Sequence, residues 1–199
     1  MGLFDSILKS AGNAIKNETA KPAPSGTPAV AKGGHHQERI VFSALPKNLA
    51  ELQALPEASL DTPYKTAALT IAVLCAYEND PDTCIGMLDF LKGPADVSNY
   101  EKGFIRERLA GKYYKTFSFF EGATPENGYK PSVPYAITVS ENPYSFDEEN
   151  WATLYVTSGG ADHPRPIKLR KKPSTGQWFV NDIQCLADIR VPVEEDPWA

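Results

Sequence analysis

The chain has little of what catalytic and metal centres are usually built from. Its 199 residues include three histidines and three cysteines. Cys75, Cys84 and Cys185 are odd in number and form no CxxC pair. This argues against a disulfide framework and fits reduced thiols in a cytoplasmic protein. His35 and His36 are adjacent but have no further ligands at a fixed spacing, so no metal is expected there. His163 follows Asp162 in a Gly/Pro loop. Neighbours in sequence seldom orient one another, and no serine or cysteine nucleophile is placed beside them, so general-base chemistry is not assigned. The acidic runs Asp147-Glu148-Glu149 and Glu194-Glu195-Asp196 lack calcium-loop spacing and read as solvated. No catalytic residue, cofactor or metal is expected, and the chain reads as leaning away from an enzyme.

Basic charge is also short. Lys and Arg total 20 against 25 Asp and Glu, a formal net charge of −5, which argues against a nucleic-acid partner. No apolar run approaches the roughly 20 residues that span a bilayer. Asp5 stands where a secretory signal would carry basic charge, and Ser6, Lys9 and Ser10 interrupt the apolar stretch. The expected location is cytoplasmic, with peripheral membrane contact open. There is no internal repeat and no heptad pattern.

What the sequence does have is an amphipathic start. Residues 1–16 predict a helix with Leu3, Phe4, Ile7, Leu8, Ala11 and Ile15 on one face and Ser6, Lys9, Ser10, Asn13 and Lys16 opposite. So short a helix is marginal alone in water, so the apolar face needs a membrane surface, a protein partner or its own domain. Leu3, Phe4, Ile7, Leu8 and Ile15 are the candidate docking residues. Met1-Gly2-Leu3-Phe4-Asp5-Ser6 also matches the loose myristoylation pattern. Residues 17–38 have the Pro/Gly/Ala-rich composition of a flexible linker. About 20 such residues span roughly 25 Å on average and about 70 Å extended.

Residues 39–199 predict an α+β domain, with helices first and a mostly antiparallel sheet after them. Ile40-Val41-Phe42 reads as a short strand, and Leu45, Leu49, Leu52 and Leu55 recur at helical spacing. Asp61 or Thr62 can cap the next helix, with Pro63 in its first turn. Ala67–Tyr77 is apolar nearly all round, so that helix is expected to be central and buried. Asp80-Pro81 starts a helix that ends at Gly93-Pro94, and Ser98–Ala110 predicts another, stopped by Gly111. On that last helix Tyr100, Phe104 and Ile105 are expected to pack, with Arg106, Glu107 and Arg108 solvated. Strands are predicted over Tyr114–Glu121, Val133–Ser140, Trp151–Ser158, Arg165–Lys171, Gln177–Gln184 and Asp188–Val191. Cys75 and Cys84 read as core residues and Cys185 as partly exposed. Alternation places Trp151, Thr153, Tyr155 and Thr157 on one face of their strand, and core packing is expected for Trp151. The one basic cluster puts Lys168, Arg170 and Lys172 on a common face, with Ile167 and Leu169 inward. It suits an acidic partner or anionic headgroups, and equally a charged edge that guards a sheet against aggregation.

Pro166-Ile167-Lys168-Leu169, Gly176-Gln177-Trp178-Phe179, Asp188-Ile189-Arg190-Val191-Pro192 and Asp196-Pro197-Trp198-Ala199 resemble an uncharacterised bacterial domain-of-unknown-function family, common in anaerobic gut bacteria. With Leu45-Pro46 and the Tyr64–Tyr77 segment, the resemblance covers roughly residues 40–199 and implies no activity. The leading helices and the late hairpin LRKKPSTGQWFVND are similar to NTF2-like domains. That resemblance implies a curved sheet which, in other members, hosts enzymes, ligand binders or dimerisation modules. Two expectations follow. One is a non-enzymatic interaction or adaptor domain, docked to a membrane surface or an unidentified protein partner through its N-terminal helix, with a homo-oligomer open. The alternative is a small-molecule binder or enzyme with an NTF2-like pocket.

Overall fold

The computed structural model describes residues 35–198. The helix predicted over 1–16, with Leu3, Phe4, Ile7, Leu8 and Ile15, lies outside them, as does most of the linker. The order among the described residues is β1 (Gln37–Phe42), α1 (Leu49–Gln53), α2 (Pro63–Leu74), α3 (Pro81–Lys92), α4 (Asn99–Leu109), α5 (Tyr114–Phe117), then β2 (Tyr135–Ser140), β3 (Trp151–Val156), β4 (Arg165–Lys171) and β5 (Trp178–Ile183). This is an α+β fold. All strand pairs are antiparallel and neighbours follow chain order, β1-β2-β3-β4-β5. Short single 3-10 turns link several elements.

The helices start where their caps dictate. Asn48 accepts from the Glu51 N–H, Thr62 from Lys65 and Asp80 from Thr83, with Pro63 and Pro81 in first turns where no N–H is missed. Ser98 and Glu101 satisfy each other's backbone donors in a capping box at the start of α4. α2 is buried along almost its whole length, from Tyr64 through Thr66, Leu69 and Ile71 to Leu74. It lies across the inner face of the sheet, where Ile137, Val139, Ala152, Leu154, Val156, Ile167, Leu169 and Val180 are also buried. That face is therefore filled by side chains. Two α2 hydroxyls are accommodated internally: Thr70 donates to the Thr66 carbonyl, and Thr66 donates to the Trp178 carbonyl at 2.9 Å.

The sheet is not evenly paired. β2 meets β3 at only Val139↔Val156 and Ser140↔Tyr155. Below that point the two strands take other partners. The Glu121 N–H donates to Ala136 on the β2 side, next to the isolated bridge Phe120↔Ile137, and the Thr153 N–H of β3 donates to Ser145.

Several sequence expectations are corrected. Tyr114–Glu121 is not a strand. Residues 114–117 form α5, and Phe120 makes a single bridge to β2. Lys115, Thr116, Ser118, Phe119 and Phe120 are all buried, a run that strand alternation cannot provide. Asp188–Val191 forms no strand, although Ile189 is buried and the Arg190 backbone bonds to Gly160 and to the Tyr129 hydroxyl. Tyr100 is 82% exposed. Arg108 lies over the Phe104 ring at 5.2 Å. Cys185 is fully buried. β1 begins at Gln37, inside the stretch read as linker, and the Glu141 N–H donates to His36.

Candidate functional site

The sheet's outer face carries the candidate surface. The alternation on β3 holds: Ala152, Leu154 and Val156 are buried, while Trp151, Thr153 and Tyr155 are half-buried on the opposite face. Trp151, expected in the core, is on this outer face. Arg170 stands directly across from it and Lys168 diagonally across, by way of Thr153. Both cations reach the indole, the Lys168 Nζ at 4.7 Å and the Arg170 guanidinium at 5.1 Å from the ring centre. The ring's negative face attracts them, worth about 0.5–1 kcal/mol each at an exposed site. Lys168 also lies 3.8 Å from Glu148. Ile167 and Leu169 point inward as predicted, and both are fully buried.

At its far end β4 runs into a turn. The Lys172 N–H donates to Gln177 and the Gly176 N–H to Lys172, both at 2.8 Å. Gly176 has φ +76, a conformation that favours glycine in a turn. Beneath this turn is a cavity of about 340 Å³ between the C-terminus of α3 and the β4–β5 hairpin. Arg170, Lys171 and Lys172 line it, with Pro94 and the Phe179 ring among its apolar walls. Two of the three predicted patch residues, Arg170 and Lys172, thus converge on a cavity. Lys168 stays with Trp151. Lys171 belongs to the same basic cluster in the sequence, but alternation alone sends it to the other face. Its Nζ is also 5.8 Å from the Trp178 ring centre.

Lys92, at the end of α3, is the fourth cation at this cavity. It is paired already, at 2.5 Å from Glu101 and 3.3 Å from the Asn181 carbonyl. The register slips between Lys168 and Leu169, leaving Asn181 as the extra residue on β5. Its carbonyl is therefore available to Lys92. Burial pushes the Glu101 carboxyl up, but Lys92 and the Ser98 donors together hold it below its ordinary value.

Other polar groups are engaged elsewhere. Asp162 pairs with Arg190 at 2.6 Å, and His163 is exposed, so the Asp162-His163 neighbours form no dyad. Arg165 pairs with Asp188 at 2.8 Å. The Tyr64 hydroxyl donates to Glu141, and the His36 ring meets Tyr64 edge-on. Burial raises the Tyr64 phenol, and Glu141 adds to the rise. Lys115 is buried and donates to the Leu186 carbonyl at 3.3 Å; burial, with Lys112 and Arg108 nearby, lowers its ammonium. Cys75, Cys84 and Cys185 are buried, and desolvation pushes each thiol up to about 12, the reverse of a reactive thiolate. A wider apolar groove of about 730 Å³ lies at the opposite end of α2, between Leu45, Pro46, Phe117 and Tyr135. Among the described residues no group of three metal-type ligands assembles, and no helix is long and apolar enough to cross a membrane.

Residues 44–193 match the family described as Domain of unknown function (DUF6935), and the chain belongs to it. The match takes in α1 to β5 and the motifs Pro166–Leu169, Gly176–Phe179 and Asp188–Pro192 on which the resemblance was drawn. β1 and the closing Asp196–Ala199 fall outside it. No curated protein and no solved structure matches the chain.

Proposed function

We propose that this DUF6935 member is a non-enzymatic interaction module that works at the cytoplasmic face of a membrane. Its N-terminal amphipathic segment supplies apolar anchorage, and its outer sheet face supplies cationic contact. The observation that carries this reading is Trp151 with Lys168 and Arg170 around it on the face opposite the helices. An indole beside cations is a combination suited to the headgroup level of a bilayer, where one part is apolar and the other wet. Leu3, Phe4, Ile7, Leu8 and Ile15 would add about 1.5–3 kcal/mol for each fully buried side chain. That favours reversible adsorption over permanent anchoring. The filled inner face of the sheet supports a surface role over an enclosed NTF2-like pocket.

Co-sedimentation with vesicles of anionic and of zwitterionic lipid tests this. The full chain should bind anionic vesicles, and Ile7→Glu with Leu8→Glu should release it. Trp151→Ala should weaken binding by less. Equal binding by the parent chain and the Ile7/Leu8 variant removes the membrane part of the reading. A stable complex with a protein in place of lipid would favour an adaptor in an assembly.

A further inference from the structure

The cavity under the β4–β5 turn has features that neither sheet stability nor the docking role requires. Arg170, Lys171 and Lys172 are consecutive, so a regular strand would scatter them over two faces. Instead β4 ends at Lys171 and the chain turns, and all three line one cavity. Keeping like charges together is unfavourable unless something opposes them. Among the described residues no carboxylate lies within 4 Å of any of the three, although acids outnumber bases in the chain. Glu101, near Lys92, is held by that lysine and by Ser98. The cavity therefore combines cations that lack carboxylate partners, Arg170 and Lys171 resting on the Trp151 and Trp178 rings, with apolar walls from Pro94 and Phe179. Its volume of about 340 Å³ falls within the range of small-molecule sites, roughly 300–1,000 Å³.

We propose that this cavity binds a phosphate monoester, with the phosphoryl group held by Arg170, Lys171 and Lys172 and its organic part against Phe179 and Pro94. A monoester carries close to two negative charges at neutral pH, which suits several cations better than a single carboxylate does. The planar Arg170 fork can donate two parallel hydrogen bonds to one phosphate, and the lysines add compact positive charge. Such a group could be presented by a soluble metabolite-sized molecule or by a phosphomonoester lipid headgroup. Arg170 is shared with the outer face of the docking reading, whereas the N-terminal segment has no part in this site.

The full chain is titrated, at constant ionic strength, with glycerol 3-phosphate, with inorganic phosphate, and with phosphatidylcholine vesicles containing or lacking phosphatidic acid. Calorimetry and tryptophan fluorescence follow binding, since Trp151 and Trp178 touch cations that line the cavity. Saturable one-site binding of glycerol 3-phosphate is expected, with acetate failing to compete. Lys172→Glu, in the exposed turn, should weaken it about tenfold or more, and Arg170→Gln should do likewise. Lys130→Glu, an exposed lysine outside the cavity and the outer-face cluster, should leave it unchanged. Binding to phosphatidic acid vesicles alone, still lost in Lys172→Glu, supports the site and names the headgroup as its source. Absence of saturable binding to all three probes overturns the proposal. So does binding that Lys172→Glu does not alter, or that acetate at matched ionic strength displaces. The Ile7→Glu/Leu8→Glu chain should retain glycerol 3-phosphate binding, which separates this site's failure from that of the docking reading.

Discussion

Replacing Gly93 by alanine tests whether the α3 stop and the β5 edge fit together as described. Gly93 ends α3 with φ +70 and ψ −117, a region that side-chain-bearing residues rarely enter. A Cβ placed there would stand 2.6 Å from Cε1 and 2.8 Å from Cγ of Phe179. Those atoms belong to the body of the ring, so a small terminal swing does not relieve the overlap. The backbone strain costs about 1–3 kcal/mol, and the overpacking costs about 1–3 kcal/mol. A total near 3 kcal/mol lowers the melting temperature of a domain this size by about 6–12 °C. Urea and thermal unfolding of the full chain read this directly. The two contributions separate in a double-mutant cycle, because Phe179→Ala removes the ring. Gly93→Ala should then cost about 1–3 kcal/mol less in the Phe179→Ala background than alone. If Gly93→Ala lies within about 0.5 kcal/mol of the parent, the argument from conformation and contact is wrong. If the cycle is additive, the ring is not the obstacle.

Three further outcomes follow from the packing. Leu69→Ala, in the fully buried middle of α2, should cost about 2–5 kcal/mol in denaturant unfolding, because the sheet and α3 leave little room to collapse into the gap. The three thiols should resist a disulfide exchange reagent in the native protein and all react once it is unfolded, since each is buried and raised to about 12. Glu101 has a folded pKa below its ordinary 4.5, so its stabilisation is complete above that value and is lost as pH falls through the folded pKa. Glu101→Gln keeps an acceptor for Ser98 but loses the charge. It should cost up to about 1 kcal/mol at neutral pH, a gap that closes in acid unfolding measurements.

The legible parts of the fold are those where local chemistry and burial agree. α2 and α3 carry caps, an N1 proline and a continuous or one-sided apolar surface, and both form where the sequence predicts. β3 and β4 alternate cleanly because one face meets the core and the other meets solvent. The misreadings come from tertiary partners that a local window does not contain. The aromatic run at Tyr113–Phe120 has strand propensity, yet Thr116 and Ser118 bond back to Tyr113 and Lys115 and close helical turns. Trp151 reads as core by its size, but it sits on the outer face where Lys168 and Arg170 cover it. At the candidate site, the basic residues were visible in the sequence. Their convergence was not, because it depends on where β4 stops and on α3 ending alongside β5.

The sheet's edges explain why that corner stays open. β5 is an edge strand, and an edge with free backbone groups invites another strand. Here the helices occupy it. The Trp178 N–H donates to Leu60 at 2.8 Å, its carbonyl accepts from Thr66 at 2.9 Å, and Lys92 reaches the Asn181 carbonyl at 3.3 Å. Gln177 extends the seal to the Ser59 carbonyl. β1, at the other edge, begins Gln37-Glu38-Arg39, and Arg39 forms a two-pronged pair with Glu121 at 2.7 and 2.8 Å. Polar and charged side chains of this kind discourage strand addition. Neither edge is thus built to recruit a partner through backbone pairing. Recognition falls instead to side chains on the outer face and at the β4–β5 turn, where Arg170, Lys171 and Lys172 have no carboxylate partner among the described residues. The charges there exceed what edge protection needs, because the β5 edge is already closed by hydrogen bonds.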